Sequence, residues 1–274
     1  MAESSGRIAA PLAATASVAP GWQRFQPRAR RIAKRTADTA IFFGLAALFG
    51  LSCVAWTFLS LPLLLLPRAL GQPIGQVLIM AGFRYFLAVM RACGILKTDL
   101  SALDDLRGYR SLIIAPNHPS QIDAMLIISR LPQVVCTAKS KLLSHPLLGA
   151  SARLAGYIPN DAPHRFVREA MRQLRRGRQL LIFPEGTRSS GKGIGPFKQG
   201  FALIAQRADV PIQTVFIESN SRFLAKGWPL LRVPEFPLVY RVRLGPLLNC
   251  RTDRRDFVGR MEKAYGCEVE VSDR

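Results

Sequence analysis

Three histidines, at positions 118, 145 and 164, are the candidates for imidazole chemistry in this chain. Only His118 has a carboxylate at useful spacing. In P-N-H-P-S-Q-I-D-A-M (116–125), four residues separate it from Asp123. The stretch follows S-L-I-I-A-P (111–116), an apolar run that reads as a buried strand, and α/β proteins place their chemistry at the C-terminal ends of strands. A helix starting near Ser120 would leave His118 in the loop and put Asp123 in the first turn. A carboxylate there can reach one imidazole nitrogen, fix the tautomer and raise its basicity, which frees the other nitrogen as a general base. A plainer reading uses the same residues: Ser120 to Asp123 is an S-x-x-D capping box, with His118 an ordinary loop residue. Ser120 is a poor nucleophile candidate, because no G-x-S-x-G elbow occurs in the chain. His145 precedes Pro146 and His164 begins a helix, so both read as structural or exposed.

A second constellation lies in L-L-I-F-P-E-G-T-R-S-S-G-K-G (180–193), again just after a buried strand. Arg188 can grip a phosphate through two hydrogen bonds, and Gly186 and Thr187 can add backbone or hydroxyl donors beside Glu185. The plainer alternative is a polar turn with a surface ion pair. Gly186 to Gly193 also imitates a Walker A loop, but position 193 is Gly, so the magnesium-binding hydroxyl is missing, and I-G-P-F cannot open a helix directly. That excludes a nucleotide triphosphatase. In the third stretch, 138–161, Lys139 and Lys141 follow a strand, and Gly149 and Gly156 flank an apolar segment. It reads either as one wall of a substrate cleft or as solvated lysines with a packed helix.

The elements that would carry these loops can be read from periodicity. Strands are expected at 111–116, 133–138, 179–183, 211–217 and 237–245, and helices at 125–131 and 164–177. Their alternation predicts an α/β fold with a mixed, mostly parallel sheet flanked by helices over residues 96–274. Residues 1–38 are expected to be a disordered, basic tail. Residues 39–95 are expected to be membrane-associated helices, because Ala40 to Ser60 is 21 residues without charge, and about 20 cross a bilayer. P-R-A-L-G-Q-P (67–73) reads as a turn. The second apolar segment, 74–95, holds Arg84 and Arg91, so it should lie in the interface or pair with the first as a hairpin. The chain of 274 residues carries 38 Lys+Arg against 18 Asp+Glu, a net charge of +20. Such charge seeks an acidic ligand, an anionic membrane face or nucleic acid. No basic aromatic ribbon or helix-turn-helix supports nucleic acid. Five dispersed cysteines with no C-x-x-C argue against a disulfide framework and a cysteine zinc site.

Taken together, these blocks resemble one family. N-H-P-S-Q-I-D (117–123) is similar to the N-H-x-x-x-x-D block of the glycerolipid (1-acylglycerol-3-phosphate) acyltransferases, and F-P-E-G-T-R-S (183–189) to their second block. A-K-S-K-L and P-L-L-G resemble the middle block, with Lys139 and Gly149 in matching places, and F-K-Q-G-F-A (197–202) resembles a later stretch. Two places depart from the pattern. Pro159-Asn160-Asp161 stands where the family often has an Arg, and Gln213-Thr214 where it usually has a second Pro. A-G-Y-I-P-N resembles a branch associated with aryl-polyene-type lipid pathways. The resemblance implies acyl transfer from acyl-CoA or acyl carrier protein to a lysophospholipid hydroxyl, with 1-acyl-sn-glycerol-3-phosphate the first acceptor and a polyketide-lipid acceptor the alternative. It implies His118 and Asp123 as catalytic residues, and Glu185, Gly186, Thr187, Arg188, Lys139 and Gly149 as substrate-binding ones. It further implies no cofactor and no metal, membrane lipids as partners, no nucleic acid, and an inner-membrane enzyme with its catalytic domain on the cytoplasmic side. A lipid-binding protein with a dead site is the remaining rival.

Overall fold

A computed structural model describes residues 28–189, 193–251 and 253–272. The tail expected over 1–38 lies outside the described residues as far as 27. From Arg28 the chain is helical, which corrects the expected boundary: α1 runs Arg28–Leu63. The reason is local, since its first turns are rich in Ala, Arg and Lys, all good helix formers that extend the apolar helix backwards. α2 spans Arg68–Ala92, so the turn expected at 67–73 is instead the start of a helix with Pro73 inside it. Packing decides this. A Cβ on Gly75 would stand 2.7 Å from Leu154 Cγ, so α2 lies directly on the neighbouring α5 (Gly149–Leu154) and is held there despite the proline.

The hairpin is docked along the α/β part. Thr57 Oγ1 donates to the Leu147 carbonyl at 2.8 Å, and Gln76 Nε2 to the Ala155 carbonyl at 3.0 Å. Arg178 reaches Gln76 Oε1 at 3.0 Å. Leu45, Leu87 and Met90 join the main core. Both helices are long and apolar enough to cross a membrane by length and composition. Their outward faces stay bare: on α1 Leu51 is 69% exposed and Phe58 70%, and on α2 Leu70 is 58% exposed.

The seven-stranded sheet has the order β1-β7-β6-β2-β5-β3-β4. The strands are β1 Leu96–Asp99, β2 Ile113–Pro116, β3 Val134–Ala138, β4 Ile158–Pro159, β5 Gln179–Leu181, β6 Ile212–Ser219 and β7 Leu238–Leu248. β2 to β6 run parallel. β7 pairs antiparallel with β6, and β1 pairs parallel with β7. The mixed, mostly parallel sheet is therefore as expected. Alternate residues of β2 feed two cores: Ile114 joins α2 and α3 (Asp123–Ile128), whereas Ile113 and Ala115 join α6 (Pro163–Arg175), α7 (Gly200–Ala208) and α8 (Arg254–Ser272). Ile113 and Ile114 have no exposed surface, and each such burial stabilises the fold by about 1.5–3 kcal/mol. α6 matches the amphipathic stripe, burying Phe166, Ala170 and Leu174. Gly177, at φ +75°, ends it in the left-handed region. A short α4 (Ser140–Leu143) follows β3.

Candidate active site

The two loops read as chemistry-bearing meet at the C-terminal ends of β2 and β5. Asn117 is the hinge of the first. Its side-chain amide donates to the Ile217 carbonyl at 3.0 Å and accepts from the Ile217 N–H at 2.7 Å, so it continues the β2–β6 ladder with side-chain atoms. The backbone is thereby freed to turn at His118. Asp123 opens α3, as predicted. Its Oδ2 lies 2.9 Å from His118 Nδ1 and also accepts the Ser120 N–H at 2.7 Å. One carboxylate oxygen thus both caps the turn and contacts the ring, so the two readings do not compete for the residue. Asp123 is fully buried, the His118 side chain is 16% exposed, and Nε2 has no partner among the described residues. With an ionised Asp123, Nδ1 carries the proton and Nε2 is left as the acceptor nitrogen.

Burial pushes the Asp123 carboxyl up to about 6, against the lowering influence of the His118 hydrogen bond. Its other oxygen, Oδ1, is buried without a partner. Phe183 stacks on the imidazole with 3.8 Å between centroids and 21° between planes. Ring and carboxylate together leave His118 one orientation. Phe183→Ala should therefore lower kcat of any reaction that uses His118 as base about tenfold with KM little changed, because a mobile imidazole loses positioning and not affinity. Steady-state kinetics would check this, and a KM rise with unchanged kcat would contradict it.

Glu185 does a different job from the expected one. It is 3% exposed. Oε1 accepts from the His118 N–H at 3.2 Å and the Ser189 hydroxyl at 2.8 Å, and Oε2 accepts from the Gly195 N–H at 2.9 Å. Its oxygens tie the two loops together and are not open to a ligand, which corrects its assignment as substrate-binding. Gly186 turns at φ +66°, and a Cβ there would meet Lys198 Cε at 2.8 Å, so the lysine stem crosses the turn. Thr187 is exposed. Arg188 Nη1 donates to the Leu224 carbonyl at 2.8 Å and the Ala225 carbonyl at 3.3 Å, pinning the loop after β6. Ser120 Oγ and the Gln121 N–H bind the same loop, at Phe223 and Leu224.

Lys139 is exposed at the C-terminal end of β3, two strands from β2 and so about 10 Å across the sheet. Gly149 has a steric reason instead of a binding one, because a Cβ there would lie 2.3 Å from the Leu143 carbonyl oxygen. The departure at 159–161 also has a structural role: Asp161 accepts from the Ser140 hydroxyl at 2.6 Å and from its N–H, capping α4. Reading residues by type missed Asn117, Phe183 and Lys198. All three stand inside the quoted blocks, but a phenylalanine that holds an imidazole looks in sequence like one that fills a core. Among the described residues no three His, Cys, Asp or Glu side chains gather as a metal site would require.

A family model described as Acyltransferase matches residues 97–218, which contain both loops. A 1-acyl-sn-glycerol-3-phosphate acyltransferase of Escherichia coli (strain K12) is 32% identical over 134 residues, 46% of this chain and 54% of that protein. One of Limnanthes alba is 32% identical over 136 residues, 47% of this chain and 48% of its own. A lyso-ornithine lipid O-acyltransferase of Pseudomonas aeruginosa is 32% identical over 183 residues, 65% of this chain and 66% of that protein. The chain spans about half the length of several curated relatives it matches. The crystal structure of the 1-acyl-sn-glycerophosphate (LPA) acyltransferase PlsC from Thermotoga maritima has the same fold, with a TM-score of 0.61, 21% identity, and coverage of 88% of this chain and 98% of that one.

Proposed function

This chain belongs to the glycerolipid acyltransferase family, and from that premise we propose that it transfers an acyl group from a thioester to the hydroxyl of a lysolipid. The observation that carries the reading is the His118–Asp123 pair, stacked on Phe183, with Nε2 without a partner among the described residues. Nε2 takes the proton of the acceptor hydroxyl as its oxygen attacks the thioester carbonyl. The C–S bond then breaks, and the imidazolium returns the proton to the departing thiolate. An ester and a free thiol result, with no acyl-enzyme between. Acyl-CoA or acyl carrier protein supplies the thioester, and a net charge of +20 favours either acidic donor. Arg188, with Nε and Nη2 unpartnered among the described residues, and Lys198 across the Gly186 turn are the cations for the acceptor's head group.

The acceptor we propose is 1-acyl-sn-glycerol-3-phosphate, the substrate in most of the relatives' names. A second reading, a lyso-ornithine lipid, has a specific support: that relative matches a longer part of the chain. The hairpin sets the working place at a membrane. The exposed stripe of α2 from Leu70 through Ile74 and Val77 to Ala81 is apolar. It extends about 16 Å along the helix, close to one leaflet of a hydrocarbon core about 30 Å thick. We place the enzyme on the cytoplasmic leaflet of the inner membrane, with lipids as its neighbours and no nucleic acid. The test is direct. Purified full-length protein is given acyl-CoA or acyl carrier protein with each lysolipid, and products are read by lipid mass spectrometry. A diacyl phosphatidic acid confirms the first acceptor, acylated ornithine lipid the second, and thioester that never turns over with either sinks the activity.

A further inference from the structure

A cavity of about 230 Å³ lies away from the catalytic loops, between α2, the end of β1 and the C-terminal end of α3. It is lined by Arg84, Arg91, Thr98, Asp99, Ser101 and Arg130, among others. α3 separates it from the catalytic pair, with Asp123 at one end and Arg130 just past the other, about 9 Å of helix. The acyl-transfer chemistry described above uses none of these side chains.

Their bonding states are unequal. Arg130 is paired with Asp104, so its charge is compensated. Arg84 has no partner among the described residues, and Arg91 has only a long contact, 3.5 Å, to the Thr98 hydroxyl. Asp99 Oδ1 accepts from the Ser101 hydroxyl at 2.7 Å and from its N–H at 3.3 Å, whereas Oδ2 has no hydrogen-bond partner among the described residues. The cavity therefore offers two open guanidinium groups and, on Asp99, one carboxylate oxygen without a hydrogen bond, whose charge Arg241 on the neighbouring β7 offsets only in part. An anion alone would leave that oxygen facing it. A ligand carrying both a phosphate and a protonated amine satisfies all three.

The helix face says where such a ligand comes from. Leu70, Ile74, Val77, Ala81, Arg84, Ala88 and Arg91 follow one another at helical spacing, and all are exposed. The stripe is apolar up to Ala81 and basic from Arg84. Tyr85, 60% exposed, stands at the change, where amphipathic aromatic side chains settle at membrane interfaces. A molecule with its polar end in the cavity would have its apolar end along Val77, Ile74 and Leu70.

We propose that this cavity is a second lipid site, which holds the headgroup of an ethanolamine phospholipid: phosphate on Arg84 and Arg91, ammonium on Asp99. The site anchors the hairpin and is separate from the acceptor site.

The full-length protein is floated with choline-phospholipid vesicles, plain or doped with ethanolamine phospholipid or with anionic glycerol phospholipid. Wild type should gain binding from ethanolamine doping over plain choline vesicles, on top of the general attraction of its +20 charge to anionic glycerol phospholipid. Arg84→Gln with Arg91→Gln should lose that gain, with partition falling at least about tenfold. Asp99→Asn should abolish the gain of ethanolamine over choline headgroups while leaving binding to anionic glycerol vesicles no weaker. Lys34→Gln removes a positive charge outside the cavity and should keep the preference while lowering overall binding. Soluble phosphoethanolamine, added as competitor, separates the sources: failure to compete supports a membrane lipid, and displacement at low concentration overturns it in favour of a free zwitterion. Equal binding of wild type to ethanolamine-doped and plain choline vesicles, or an ethanolamine gain that survives the double variant, overturns the site. His118→Ala should bind like wild type, so loss of acyl transfer and loss of this site are read apart.

Discussion

His118→Ala should cut acyl transfer by about 10²–10⁴-fold, roughly 3–5 kcal/mol of barrier, in a protein that still folds. The size follows from what the ring does. Nδ1 is held by Asp123 at 2.9 Å and the ring face by Phe183, so Nε2 alone takes the acceptor proton. Glu185, the other carboxylate of these loops, is no substitute, because its oxygens are committed to the His118 and Gly195 N–H groups and the Ser189 hydroxyl. Folding should survive, since the main ties of the loop run through Asn117, Ser120 and the His118 backbone, none of which the alanine removes. His118→Gln is the companion variant: its amide can still donate to Asp123, so the site keeps its shape but has no base. Product formation by mass spectrometry and thermal melting read the two quantities. Wild-type turnover in either folded variant would remove the mechanism.

The chain announces some of this and conceals the rest. β2, β3, β5 and β6 are legible because strands buried on both faces appear as short apolar runs. α6 is legible because its one buried face imposes a 3.6-residue period. β1 is not, since Leu96-Lys97-Thr98-Asp99 is an edge strand whose few residues show no clear alternation. The first turns of α2 read as a turn because Pro67, Gly71 and Pro73 break helices locally. Only contact with Leu154, far along the chain, makes those glycines useful. The catalytic pair is legible as types and spacing. The role of Glu185 is not, because a carboxylate that binds three loop donors and one that greets a ligand have the same letter in the sequence. Its partners, the Gly195 and Ser189 groups on one side and the His118 N–H on the other, come together only when two distant loops fold side by side.

Asp123→Asn should move activity and stability in opposite directions. The carboxyl is fully buried, and loss of water lifts it from about 3.8 unfolded to about 6 folded. A folded value above the unfolded one means that this group favours the native state below about pH 3.8 and loses that contribution as pH rises through about 6. At pH 7 the ionised, fully buried carboxylate therefore works against the native state relative to its protonated form. Asparagine has the same shape without the charge, so Tm at pH 7 should rise by a few degrees, and the gain should vanish near pH 4. Acyl transfer should collapse, because an amide neither stabilises the imidazolium formed during proton transfer nor enforces the right tautomer. The wild-type rate should fall on the acid side as Asp123 takes up its proton near pH 6, and that limb should be lost from the residual activity of the variant. Melting curves and kcat/KM across pH 4–8 measure both effects. If the variant were less stable than wild type at pH 7 yet kept full activity, the carboxylate would be a structural tie and not the partner that orients the base.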